Sequence, residues 1–177
     1  MSLVSPDRYF SRITAIDIQR DLIDCGLTAV LLDIDNTIRS RETHDVPRDV
    51  HVWLAKARAA GIQFCLVSNN WHADIHDFAE ELDMPLVAKA MKPLPPAFMA
   101  ALRKLKAKTH QAVVIGDQIS TDVVGAHALG MKAYLLQPLA EVDLRHMQYL
   151  RKVENMFVSG RTPEPVANAT AEVHEAS

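Results

Sequence analysis

The sequence predicts an α/β fold, a doubly wound parallel sheet with helices on both faces. Three observations predict it. Short apolar runs alternate with helix-period segments from residue 29 to residue 137. The longer runs are continuous rather than alternating, as in strands covered on both sides. The residues able to do chemistry stand at the ends of those runs, where open parallel sheets place reactive groups.

Five runs read as strands: Ala29–Asp33, Ile62–Ser68, Leu86–Ala88, Ala112–Asp117 and Ala133–Gln137. Between them, Pro47 to Ala60 opens on a proline, closes at Gly61 and repeats Val50, Leu54 and Ala57 at helical spacing. Ala73 to Leu82 puts Ile75, Phe78, Ala79 and Leu82 on one face, and Pro95 to Lys106 does the same with Phe98, Met99, Leu102 and Leu105. Thr121 to Leu129 closes at Gly130. Ahead of the alternation, Ile18 to Cys25 reads as a short helix capped by Asp17 and stopped by Gly26. After it, Ala140 to Phe157 reads as a last helix on the outside. Tyr9, Phe10 and Ile13 read as core cover, with a membrane-contact role as the alternative. Residues 1–158 are therefore expected to form one domain with helical extensions at both ends. Residues 159–177 hold little that could be buried and are expected to be a disordered tail.

Composition narrows the class. The chain has 177 residues, is 49% hydrophobic and carries a net charge of −3, so it can build a sizeable core and shows no basic excess of the kind nucleic acid requires. Cys25 and Cys65 lack metal-ligand spacing, and two cysteines argue for a reducing compartment. No apolar stretch reaches the roughly 18 residues that span a bilayer. The opening MSLVSPDRYFSR lacks the charged-then-apolar order of a signal peptide. A cytoplasmic protein is expected, with contact to the inner face of the membrane left open.

The stretch LLDIDNTIR raises the chemical question, because two carboxylates at a core edge are expensive unless something justifies them. The first strand ends in Asp33 and Asp35, the second in Ser68, Asn69 and Asn70. Lys92 follows the third, Asp117 ends the fourth, and Asp122 stands one turn into the next helix. Crowded carboxylates repel and shift one another's pKa values, and a hard cation such as Mg2+ resolves the conflict while leaving room for phosphate. Lys92 adds a positive charge, and Ser68 with nearby amides can donate to phosphate oxygens. The set describes a phosphoryl site. One carboxylate attacks phosphorus, and a second, two residues on, protonates the leaving oxygen.

The stretches LLDIDNTI, LVSNN, AMKPLP and VVIGDQISTD, in this order and spacing, resemble the four motifs of the haloacid dehalogenase (HAD) superfamily of aspartate-nucleophile phosphatases. SPDRYFSRITAIDI, the SNN, the KP pair and GDQ-x-x-TDV-x-GA look like the YqeG-type members of subfamily IIIA, a group similar to phosphatidylglycerophosphate phosphatases. The resemblance spans about residues 5–157. It implies a Rossmann-like core, Asp33 as nucleophile and Asp35 as general acid/base. Thr37 would orient the loop, Ser68 and Asn69 would hold phosphate, and Lys92 would bridge phosphate and nucleophile. The Mg2+ ligands implied are Asp33, the main-chain carbonyl of Asp35 and Asp117, with Asp122 as a further ligand or as a support behind them. Asn36 stands where many relatives carry glycine.

Many relatives bear a cap domain. Residues 36–67 and 69–91, the two gaps that could hold one, are largely consumed by helix and strand. A segment below roughly 40 residues seldom folds alone, so a capless, open site is expected. Such a site suits large or surface-bound phosphates, or is closed by a homo-oligomer neighbour. Arg39 and Arg41 could steer an anionic substrate, and Trp71 could wall the mouth. Phosphatidylglycerophosphate and a soluble phosphorylated metabolite or nucleotide are the substrate alternatives. An aspartate-phosphorylated signalling or scaffold module without turnover is the rival class.

Overall fold

The structure is a computed structural model, and it describes residues 3–39, 45–139 and 161–166. The described residues form a six-stranded sheet from β1 (Arg8–Phe10), β2 (Ala29–Leu32), β3 (Gln63–Val67), β4 (Leu86–Val87), β5 (Ala112–Gly116) and β6 (Lys132–Leu136). The order is β1-β6-β5-β2-β3-β4 and every pairing is parallel. The helices are α1 (Arg48–Ala59), α2 (Asp74–Glu81), α3 (Pro95–Leu105) and α4 (Val124–Ala128). The α/β doubly wound architecture expected from the alternation is the one observed.

Alternation along each strand sorts the core into two layers. Val30 and Leu32 of β2 and Phe64 and Leu66 of β3 pack with Val50, Trp53 and Leu54 of α1 and Ile75 and Phe78 of α2. Ala29, Leu31, Cys65 and Val67 face the other way, onto Phe98, Ala101 and Leu102 of α3 and Ala126 of α4. The strands are apolar throughout because both faces are covered. Burial pushes the Cys65 thiol up to about 11, which keeps it a small apolar filler.

Three differences from the sequence reading have plain causes. First, Arg8–Phe10 forms an edge strand that the sequence reading did not include, because three residues with one buried side chain give too little pattern to see. Phe10 and Ile13 are fully buried, and Phe10 meets Tyr134 edge-on at 5.5 Å, so neither is available to a membrane. Second, the helix expected from Thr121 begins earlier, as a π-helical turn over Ile119–Val123 that runs into α4. Third, residues 161–166 do not behave as a tail. Glu164 exchanges backbone hydrogen bonds with β1, donating to Tyr9 at 2.9 Å and accepting from Ser11 at 2.8 Å. The helix expected over Ala140–Phe157 lies outside the described residues.

The Glu164 contact belongs to an ion network. Arg8 pairs with both Glu164 and Asp21. Asp21 is wholly buried in the short π-helix Ile18–Ile23, whose first turn Asp17 caps by accepting from the Arg20 amide. Burial works to raise the Asp21 carboxyl. Hydrogen bonds from Arg20 and the Asp17 amide, with the charge of Arg8, overcome it and hold the group below the usual carboxylate range.

A depressed folded value makes this contribution present above the unfolded pKa and lost as pH falls through the folded one. Asp21→Asn should therefore lower stability by about 1.5–3 kcal/mol near neutrality and flatten the acid limb. Denaturant titrations at neutral and acid pH would show equal acid limbs in the two proteins if Asp21 were not responsible.

Candidate active site

The site grows from the ends of three neighbouring strands. Leu32 is in register with Leu66 on one side and Ile115 on the other. The next residue, Asp33, still donates its amide to the Ile115 carbonyl at 2.9 Å, so its side chain leaves the rim of the sheet at a fixed place. The chain then turns sharply. The amides of Thr37, Ile38 and Arg39 all point at the Ile34 carbonyl, at 3.3, 3.1 and 3.1 Å. Asn36 takes a left-handed φ of 61°, which asparagine tolerates better than most residues. The turn gives the two acids separate partners, Thr37 and Lys92 for Asp33 and Arg39 and Asn70 for Asp35.

Lys92 is the centre of the charge arrangement. Its ammonium lies 2.6 Å from Asp33 Oδ1 and 2.7 Å from Asp122 Oδ1, and all three side chains are buried. Burial alone would lower the lysine, but Asp122 and Asp33 reverse that and keep it protonated. Burial pushes Asp33 up to about 6, with Lys92 pulling down and Asp122 and Asp35 pushing further up. Thr37 donates its hydroxyl to Asp33 Oδ2 at 3.2 Å, a direct grip on that carboxylate as well as a place in the loop.

Asp33, Asp117 and Asp122 each offer a carboxylate oxygen within 4.8 Å of the others. Three buried carboxylates crowd around the Lys92 ammonium, an acidic oxygen set of the kind a divalent cation takes. The backbone makes space for the group. A Cβ on Gly116 would lie 2.3 Å from Asp122 Oδ2, so only the bare glycine admits that carboxylate. The oxygen-only donor set fits a hard divalent metal.

Ser68 is buried at the end of β3 and its Oγ accepts from the Asn70 amide at 3.0 Å. Asn69 does something the sequence did not suggest. Its side chain accepts from the Lys92 amide at 2.7 Å and donates to the Lys92 carbonyl at 3.2 Å, so it clamps the lysine's backbone. Arg39 departs most from expectation. It is not at the mouth but 3% exposed, with one nitrogen on Asp35 Oδ1 at 3.1 Å and another on Asp74 Oδ2 at 3.0 Å. Both terminal nitrogens are engaged by carboxylates, which corrects its reading as a substrate-steering charge. Arg41 lies outside the described residues. Trp71 is 67% exposed, with the Lys89 ammonium 5.0 Å from its ring centre.

Sequence reasoning missed three residues. Asn70 donates to Asp35 Oδ2 at 3.2 Å, and its place beside Ser68 and Asn69 was the available signal. Asp74 looked like any acid in a helix's first turn. Gly116 stood inside the GDQ motif, but its steric role was not legible there, because that role is an absence of atoms.

A family model described as HAD-hydrolase-like matches residues 90–137, the stretch that holds Lys92, Asp117 and Asp122. Fold and site together define an enzyme of the HAD phosphatase class. Across most of its length the chain is 31% identical to "Probable phosphatase YqeG" of Bacillus subtilis (strain 168), over 87% of this chain and 89% of that one. The chain belongs to the HAD superfamily of phosphatases. A 78-residue match at 31% identity links it to "Glyceraldehyde 3-phosphate phosphatase" of Pyrococcus furiosus, over 43% of this chain and 32% of that one. The fold is shared with 3-deoxy-D-manno-octulosonate 8-phosphate phosphatase from Yersinia pestis at a TM-score of 0.51 and 15% identity, over 82% and 85% of the two chains.

Gly116→Ala should displace the Asp122 carboxylate and weaken divalent-cation binding by about 10–100-fold, the range seen when the support of a metal ligand is lost. Calorimetric titration with Mg2+ would check this, and unchanged affinity in the folded variant would remove Asp122 from the ligand set.

Proposed function

We propose that this chain hydrolyses a phosphate monoester through an aspartyl-phosphate, with Mg2+ as cofactor. The observation that carries the reading is Lys92 held between Asp33 and Asp122, beside Asp117, at the rim of the sheet. Asp33, Asp117 and Asp122, with the Asp35 carbonyl, would hold the ion, which when bound supplies charge stabilisation for phosphoryl oxygens.

Asp33 is the nucleophile. Thr37 fixes one of its oxygens and Lys92 the other, so the carboxylate is aimed before substrate arrives. Lys92 lends its ammonium to the phosphoryl oxygens, and the buried Ser68 hydroxyl donates to them. Asn69 holds Lys92 in place with its side chain. Asp35 donates a proton to the leaving oxygen and later takes one from the attacking water.

The rim supports a lipid ester as the substrate. Trp71, Met91 and Leu94 are exposed, and Trp71 and Met91 lie next to the phosphate-binding and lysine segments. Apolar side chains there suit an ester with an apolar remainder, and phosphatidylglycerophosphate is the candidate from the YqeG-type resemblance. Peripheral contact with a lipid surface would accompany that substrate. No helix among the described residues is long and apolar enough to cross a membrane.

A phosphate-release screen with Mg2+ should compare lipid phosphates in micelles with soluble phosphate esters. Release from the soluble esters alone would remove the lipid assignment. Asp33→Asn should abolish release, since an amide does not attack phosphorus, and normal turnover in the folded variant would end the nucleophile assignment. Lys92→Ala should lower kcat about 100–1000-fold, as losing an oxyanion donor does; an unchanged kcat would place the charge stabilisation elsewhere. Chelation should stop release and added Mg2+ restore it.

A further inference from the structure

We propose that Arg39 is a positioning residue for proton transfer, holding the Asp35 carboxylate at the angle from which it serves the leaving oxygen. The inference rests on the proposed role of Asp35 as general acid/base.

The geometry is specific. Arg39 stands four residues after Asp35, and the turn on the Ile34 carbonyl brings the two back together. The Asn36 amide donates to the Arg39 carbonyl at 2.8 Å, and Asp35 and Arg39 form an isolated bridge. The guanidinium then reaches two carboxylates with two different nitrogens, Asp35 at 3.1 Å and Asp74 at 3.0 Å. Its carbon lies 4.9 Å from the centre of the Phe78 ring, one turn further along α2 from Asp74. A planar fork against an aromatic face and a helix's first turn has little freedom left. Asp35 is thereby tied to α2 through a buried cation.

The other oxygen of Asp35 is tied as well. Asn70 donates to it at 3.2 Å, and Asn70 is itself held, its amide on Ser68 Oγ at 3.0 Å and its Oδ1 accepting from the His72 amide at 2.9 Å. Each carboxylate oxygen so receives one hydrogen bond and keeps a further lone pair for a proton. Two donors on two oxygens fix the carboxylate plane. Removing Arg39 frees one edge and lets the group rotate, and a small misplacement of a reacting group is expensive in rate.

The step balances as follows. An oxygen of Asp33 bonds to phosphorus as the bond from phosphorus to the leaving oxygen breaks, and the proton on Asp35 passes to that oxygen. Water then attacks phosphorus, its proton passes to Asp35, the bond from Asp33 to phosphorus breaks, and inorganic phosphate leaves with both carboxyl groups restored. Arg39 touches none of the reacting atoms and acts through Asp35.

Phenyl phosphate and 4-nitrophenyl phosphate test this, because they differ in how much the departing oxygen needs a proton. In Asp35→Asn, the single-turnover rate of phenol release should fall further on phenyl phosphate than on the nitrophenyl ester, because only that step expels the departing oxygen. Arg39→Ala should widen the same ratio by about tenfold at saturating ester, a part of the roughly 100–10,000-fold that general acid catalysis contributes. Arg39→Lys, which keeps the charge but cannot fork, should recover part of it. Combined with Asp35→Asn, Arg39→Ala should widen the ratio no further. Asp74→Asn alters only the half-exposed anchor and should move the ratio in the same direction, which decides the matter if the alanine variant does not fold. An equal loss on both esters in Arg39→Ala, or a loss confined to KM, would overturn the proposal. An Asp35→Asn protein that fails to discriminate the two esters would instead overturn the role of Asp35 itself.

Discussion

A single buried ammonium organises this molecule's chemistry. Asp33 comes from the end of β2 and Asp122 from the helical turn that follows β5, and each is too close to the other for both to be ionised in a dry setting without help. Lys92 stands between them at hydrogen-bond distance and turns a repulsive pair into a bonded triad. Asp117 stands beside them as a third buried carboxylate, and the crowded oxygens suit a dication and, in the proposed reaction, an incoming phosphoryl group.

Holding a lysine in that position strains the backbone around it. Lys89 and Met91 both take left-handed φ values, 51° and 53°, without being glycine, at a cost of about 1–2 kcal/mol each. Hydrogen bonds offset the strain. The Ala90 amide reaches the Ser68 carbonyl at 3.0 Å, the Leu94 amide reaches Met91, and Asn69 grips Lys92 from both sides of its peptide unit. The lysine loop and the end of β3 are therefore one unit. Met91 is left exposed by the same twist that sends Lys92 inward. Ser68, Asn69 and Lys92 cannot move independently, which suits the positioning and electrostatics of the proposed reaction.

The cation at Arg39 shows the same economy on the other carboxylate. Asp33 is held by Thr37 and Lys92, Asp35 by Arg39 and Asn70. Each acid of the D-x-D pair thus has its own donors, on separate sides of a tight turn. That separation fits the division of labour proposed for them, one to attack and one to move a proton.

Much of this was legible in the amino-acid order. Continuous apolar runs ending in acids, with helix-period segments between, determined the parallel sheet and the edge where Asp33, Asp35, Ser68, Lys92, Asp117 and Asp122 appear, because burial on both faces and reaction at strand ends are properties of local pattern. What pattern could not decide were contacts between residues far apart in the chain. Arg39 looked like a solvent-facing charge until Asp74 and Phe78 of α2 closed over it. The Asn69 side chain showed no tie to Lys92 until the fold brought the lysine's backbone against its amide. Gly116 looked like any glycine until Asp122 filled the space where a Cβ would be, and Glu164 looked like part of a tail until Arg8 met it. In each case the partner is brought by the fold, and a side chain's role is set by which partner arrives.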